Sequence, residues 1–362
     1  MSLRQWVAWP GAPLAMGSAA LFGASTPLAK ALLGEGISPW LLAGLLYLGS
    51  GIGLALVMLT RTVLKIGPRE APLARAEWRW MALVVLAGGV AGPVLLMLGL
   101  VSTRASSAAL LLNLEGLATM VIAWLIYREN VDRRLVLGAL AILAGALLLS
   151  WQGSGFTFGI GAFAIAGACL AWGIDNNLTR KVSGSDPVQI AMIKGVAAGL
   201  MNLALAFLMG ATLPSFGLST IAGVVGFFGY GVSLVFFVLA LRFLGTARTG
   251  AYFSAAPFVG ALLALLMFGE AVTWQLCAAG GLMAIGLWLH LVERHGHEHI
   301  HQAMDHVHAH IHDDHHQHRH AADDQPGEPH VHAHHHERLR HAHPHYPDLH
   351  HRHDHGATED QG

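Results

Sequence analysis

Apolar residues in this chain come in long unbroken runs separated by short polar turns. Ten such runs lie near residues 11–32, 38–60, 80–101, 105–127, 134–151, 157–179, 187–210, 218–241, 248–268 and 272–292. Each approaches the roughly 20 residues that a helix needs to cross a hydrocarbon core about 30 Å thick. None alternates with the period of two that barrel strands would show. A helix also satisfies its own backbone groups in lipid. The pattern predicts an all-α integral membrane protein with ten transmembrane helices, spans 1 to 10 in chain order. Past residue 292 the pattern stops. Residues 293–362 hold too few apolar side chains to offset the entropy of ordering them, which predicts a disordered tail.

Composition sharpens that division. The chain of 362 residues is 54% apolar and only 12% charged, about half the charged fraction of a soluble domain at about 25%. The formal net charge of −1 conceals two opposed parts. Residues 1–292 carry 16 Lys and Arg against 9 Asp and Glu, while residues 293–362 carry 5 against 13. All 25 histidines lie at or after His290. The two cysteines, Cys169 and Cys277, sit inside apolar runs and are expected to be buried, inert thiols. The opening MSLRQWVAWPG has one Arg and no small-residue cleavage site, so no secretory leader is expected.

Lys and Arg in the short loops set orientation. With the N-terminus in the cytoplasm, thirteen of these residues, from Arg4 through Arg61 and Arg128 to Arg248, fall on the cytoplasmic side, and Arg104 alone falls opposite. This predicts a bacterial-type inner membrane protein with both termini in the cytoplasm.

The ten spans read as five used twice. Leu21-Phe22-Gly23 through Leu28-Ala29-Lys30 lines up with Ala171-Trp172-Gly173 through Leu178-Thr179-Arg180, and the segment Leu96–Glu129 lines up with Phe237–Glu270. In both halves a glutamate is followed by a glycine at the same interval, Glu129 to Gly145 and Glu270 to Gly286. An odd number of spans turns the second copy over. The charges agree, because the loop between spans 2 and 3 is basic and its counterpart GATLPSFGLST is uncharged. The domains are therefore a first repeat at 11–151, a second, inverted repeat at 157–292, and a cytoplasmic tail at 293–362. Inverted repeats are a carrier architecture with the substrate near the midplane.

These features resemble the EamA-type members of the drug/metabolite transporter superfamily. The resemblance rests on the boundary glutamates Glu129 and Glu270, the glycines of spans 5 and 10, and the run SAAPFVGALLALLMFGE ending at Glu270. One position departs: Pro257 of span 9 has Gly116, preceded by Glu115, as its counterpart in span 4. The resemblance implies a secondary carrier, usually an exporter of amino acids, other metabolites or drugs. It implies a central site between spans 1, 3, 4 and 6, 8, 9.

Ionisable groups deep in a span are functional by default. At about 1.5 Å per residue, Glu115 lies roughly 15 Å below the outer face and Lys194 roughly 12 Å above the inner one. They are expected to form a charged pair at the midplane, for substrate or proton coupling or as a structural ion pair. Asn113 joins them as a midplane polar residue, or makes an interhelical hydrogen bond. Asp175, Asn176 and Asn177 are expected to line a cytoplasmic vestibule, or to satisfy the inner end of span 6. Lys30 and Arg180 are expected to reach the headgroups. Pro27, Gly92, Pro93 and Pro257 are candidate hinges. Gly49 with Gly53 and Gly88 with Gly92 fit close helix packing. There is no phosphate-cradling loop and no nucleophile–base pair, so neither ATP drive nor catalysis is expected.

The tail repeats His-x-His: at His295, His297, His299 and His301, at His306, His308, His310 and His312, at His330, His332 and His334, and at His341, His343 and His345. Neutral imidazole is a ligand for zinc, nickel, cobalt and copper. At three or four imidazoles per ion the tail has capacity for roughly six to eight ions. His297-Glu298-His299-Ile300-His301 matches the zinc-protease pattern H-E-x-x-H. In so histidine-dense a segment, the match is expected by chance. Three readings remain: a metabolite or drug carrier whose tail buffers metal or regulates it, a divalent transition-metal exporter whose tail collects ions, and a membrane-anchored metal sensor or store. The membrane part has no histidine before His290, which counts against the second. The partners expected are the lipid bilayer, a small-molecule substrate and transition-metal ions, with a homodimer left open and no nucleic acid.

Overall fold

The computed structural model describes residues 11–65, 72–127, 133–149, 151, 159–179, 181–182, 185–291, 296–301, 304–310, 330–336 and 339–344. Helix occupies each of the ten apolar windows. Span 1 is α1 (Gly11–Gly34) and span 2 is α2 (Pro39–Leu64). Span 3 joins α3 (Trp78–Val84), a π-helical stretch Val85–Ala91 and α4 (Gly92–Ser102). Span 4 is α5 (Ala105–Leu111) and α6 (Leu114–Tyr127), and span 5 is α7 (Arg133–Leu149). Spans 6 and 7 are α8 (Ile160–Thr179) and α9 (Pro187–Leu208). Span 8 joins α10 (Phe216–Gly226), a second π-helical stretch Phe227–Val232 and α11 (Ser233–Phe253). Spans 9 and 10 end in α12 (Ala256–Phe268) and α13 (Trp274–Leu291). Five stretches, 39–64, 75–102, 105–126, 187–208 and 216–240, are long and apolar enough to cross a membrane.

The helices start where the chemistry allows. Ser38 accepts a hydrogen bond from the Leu41 N–H at 3.3 Å ahead of Pro39, and Asp186 accepts one from the Val188 N–H at 2.8 Å ahead of Pro187. An oxygen acceptor followed by a residue that has no N–H to satisfy is a favoured helix start. The same device opens spans 2 and 7, so the repeat holds at its caps. Eight residues further on stand Leu46 and Lys194.

The repeat also holds in the packing. Gly88 in span 3 presses on the Asp175 side chain in span 6. Its counterpart Gly229 in span 8 presses on Ser25 in span 1, the counterpart of Asp175. Gly145 packs on Met283, and Gly286 packs on Ile142. Gly49 meets Gly223, Gly53 meets Phe227 and Gly92 meets Trp172, each contact too close for a Cβ. The packing role expected for these glycines is what the structure shows.

Several expectations need correcting. A polar turn was expected between spans 8 and 9, yet α11 continues through 242–248 to Phe253. That segment contains no proline and ends only at the Ser254–Ala255 turn before Pro257. Pro27 does not interrupt α1. Pro257 sits in the first turn of α12, where its missing N–H costs nothing. Cys277 is exposed, on the outer surface of α13, while Cys169 is buried as expected. Lys30 finds partners within the protein. Its Nζ donates to the Leu100 and Val101 carbonyls near the end of α4, which lack helical partners.

The outer surface carries large apolar side chains on nearly every span, among them Leu56, Leu98, Ile126, Phe216 and Leu266. Water would not tolerate such a surface, and lipid requires it.

In the tail, β1 (Gly296–His301) pairs antiparallel with β4 (Leu339–Pro344), and β2 (Met304–His310) pairs with β3 (His330–His336). His-x-His has the period of a strand, so the register sets His297 against His343 and His299 against His341. It likewise sets His306, His308 and His310 against His334, His332 and His330. His295, His312 and His345, like Glu129 and Arg180, lie outside the described residues.

Candidate functional site

A cavity of about 600 Å³, counted out to its mouth, opens between the two repeats. Spans 1 and 6 contribute Phe22 and Trp172, equivalent positions that both present rings. Spans 2 and 7 contribute Tyr47 and Lys194, span 4 contributes Glu115, and span 8 contributes Tyr230.

The charged pair is not the expected one. Lys194 Nζ meets Asp175 Oδ2 at 2.5 Å, with both side chains almost wholly buried. Glu115 Oε1 instead accepts from Asn176 Nδ2 at 2.9 Å. Depth along the chain put Glu115 and Lys194 at one level but said nothing about direction around the helix axes. Asp175 reaches Lys194 because Gly88 leaves the space for it. Asp175 and Asn176 therefore line the central cavity. Asn177 is buried and donates to the Gly173 and Thr119 carbonyls at 2.8 and 3.1 Å, binding span 6 to span 4. Asn113 is buried away from the cavity, donating to the Leu110 carbonyl at 2.9 Å and lying 3.7 Å from Met283 Sδ.

Of the candidate hinges, Gly92-Pro93 is the one beside a real irregularity. Proline has no N–H for the carbonyls one turn earlier, and the π-helical stretch before it turns those groups toward side chains. The Gly88 carbonyl accepts from Tyr47 Oη at 2.7 Å and from Trp172 Nε1 at 3.0 Å, and the Gly89 carbonyl accepts from Asn202 Nδ2 at 2.9 Å. Wider turns of this kind are frequent at functional sites. The second π-helical stretch occupies the equivalent place in span 8 although Leu234 stands where Pro93 does. Proline is thus not the cause common to both. The shared feature is a glycine, Gly88 or Gly229, beneath a side chain of the facing span.

Sequence reasoning passed over Tyr230, Tyr47 and Asn202. A polar side chain within an apolar run was the available signal. That signal picks out Asn202 as readily as Asn113, Asn176 and Asn177, and tyrosine only when it is counted as polar. Glu270, noted only as a repeat marker, accepts from the Ala105 N–H at 2.9 Å, the Ser106 N–H at 3.3 Å and the Ser106 hydroxyl. It caps the start of span 4 from the other repeat. Among the described residues no group of three or more His, Cys, Asp or Glu is placed to hold a metal ion.

Comparison with known proteins agrees with the architecture. An uncharacterized transporter of Methanothermobacter thermautotrophicus (strain Delta H) is 27% identical over 283 residues, covering 74% of this chain and 82% of that protein. A crystal structure with 21% identity shares the fold at a TM-score of 0.57, covering 77% of this chain and 95% of its own. Residues 9–151 and 159–292 each match the EamA-like transporter family, one match per repeat. Two matched halves, closed around one cavity, place this chain in the EamA-like transporter family.

Proposed function

We propose that this transporter is a secondary carrier working by alternating access, and that it exports a small metabolite, amino acid or drug from the cytoplasm. The observation that carries this reading is the cavity between the repeats, which holds a carboxylate, a buried ion pair and aromatic walls. Rocking one repeat against the other exposes such a cavity to each side in turn. The π-helical stretches in spans 3 and 8, one per repeat, are where bending needs the fewest helical hydrogen bonds broken. Glu115 and the Asp175–Lys194 pair are the groups that change partners as substrate or a proton enters. In this reading the basic loops face the cytoplasm of a bacterial-type inner membrane. The histidine tail binds zinc, nickel, cobalt or copper and buffers the ion or regulates the carrier.

The test compares cellular zinc, nickel, cobalt and copper in cells with the full chain, a truncation after Leu291 and Glu115→Gln. Alternating access is read in the same three proteins by labelling single cysteines placed at either mouth of the cavity. The expected result is labelling that alternates between mouths, with metal content that follows the tail and ignores Glu115. One metal that falls with the full chain and recovers in both variants would replace this reading with metal export.

A further inference from the structure

Most nitrogen donors of the cavity already have protein partners. Lys194 is held by Asp175 at 2.5 Å. Tyr47 and Trp172 both donate to the Gly88 carbonyl. Asn176 donates to Glu115 Oε1 and to Thr119 Oγ1. Open acceptors stand beside them. Glu115 Oε2 receives no hydrogen bond from any described residue. The Tyr230 hydroxyl, on a side chain only 7% exposed, has no partner among the described residues either. Among the described lining residues Lys194 is the single cation against two carboxylates, Glu115 and Asp175. A carboxylate at this depth calls for a neutralising partner, and a buried hydroxyl calls for a hydrogen-bond partner.

An anionic ligand would add to the excess of carboxylate over cation in this lining, whereas a cation with N–H groups offsets that excess and finds acceptors in Glu115 Oε2 and the Tyr230 hydroxyl oxygen. The walls suit a cation as well. Phe22 stands edge-on to Trp172 and to Tyr230, each at 5.9 Å between ring centroids, and Tyr47 lies 5.1 Å from Tyr230. Ring faces attract ammonium groups, the more so when water is excluded.

From the charge balance of the lining and its aromatic walls we infer that the cavity takes a monocationic primary amine with an apolar, ring-sized body. Its ammonium lies on Glu115 and hydrogen-bonds the Tyr230 hydroxyl, and its body rests among the rings of Phe22 and Trp172. The inference rests on the carrier reading and names its substrate class.

Three probes sharing a phenyl ring and a two-carbon arm separate the possibilities: 2-phenylethylamine, phenylalanine and 3-phenylpropionate. They are titrated calorimetrically into the purified full-length protein, and their counterflow is measured in liposomes. The amine is expected to bind at least about tenfold more tightly than either other probe, the scale of one charge-assisted hydrogen bond. Glu115→Gln is expected to remove about tenfold of that affinity and Tyr230→Phe about threefold, the latter with the melting temperature retained. Phenylalanine or phenylpropionate binding as well as the amine would overturn the inference. So would amine affinity indifferent to Glu115→Gln, or no binding of any probe. Cysteine labelling at the two mouths is read independently. If it alternates while the amine fails, the carrier stands and only its substrate class is overturned. If it does not alternate, the carrier reading itself falls.

Discussion

Whether a buried ion pair holds a protein together or does its work is decided by removing it in two ways. Asp175 and Lys194 lie 2.5 Å apart and almost wholly buried, and taking away one partner strands the other charge. Asp175→Asn is therefore expected to destabilise the protein by about 3–5 kcal/mol, read as a fall in melting temperature in detergent. The double substitution Asp175→Asn with Lys194→Met leaves no stranded charge and is expected to recover most of that stability. Transport is expected to stay lost in both, which a purely structural pair would not show. Glu270 gives the opposite case. It caps the first turn of α5 from the far repeat, so Glu270→Ala is expected to cost about 1–2 kcal/mol. Substrate affinity should be unchanged, as calorimetry would report. At this scale the sequence exposed which residues are unusual but not which ones meet. Depth follows from counting along a helix, whereas the partner of Lys194 depends on a glycine, Gly88, in a third span.

Among the elements, the ten apolar windows were legible because lipid imposes one length on every helix. What the hydropathy pattern could not display was a change of helical pitch inside an apolar run. The stretches Val85–Ala91 and Phe227–Val232 are as apolar as their flanks. Gly92-Pro93 pointed to the first irregularity and nothing of that kind pointed to the second. Since span 8 forms its π-helical turn without a proline, Pro93→Leu, which installs the residue found at 234, is expected to cost less than about 1 kcal/mol. Asn202→Leu installs the apolar residue found at Leu54, the equivalent place in span 2, and deprives the Gly89 carbonyl of its donor. It is expected to cost about 1 kcal/mol and to alter transport more than stability. Melting curves beside counterflow rates check both. Proline as the true cause would reverse their order.

For the whole molecule, the division between membrane part and tail was the plainest feature of the sequence and carries its own prediction. Metal binding needs neutral imidazole, with a reference pKa of about 6.5. The full chain, dialysed against zinc, is expected to retain several ions at pH 7.5 and to release most of them below about pH 5.5. The sign follows from protonation, because a histidine that has taken up a proton on both nitrogens has no lone pair left for the metal. A truncation after Leu291 is expected to retain none and to keep its helical circular dichroism. The alternation of histidine has the period of the paired stretches β1 to β4.

The two halves are alike in caps, glycines and π-helical turns, but not in charge. Asp175, Lys194 and Glu115 have Ser25, Leu46 and Ala256 at the matching places. Were the halves identical, the inward-facing and outward-facing shapes would be mirror exchanges of roles with equal energy, and the empty protein would rest equally in each. Charge on one member of each matched pair and not on the other breaks that tie. The empty carrier therefore has a preferred resting face, and neutralising the three side chains together should bring it closer to an even division.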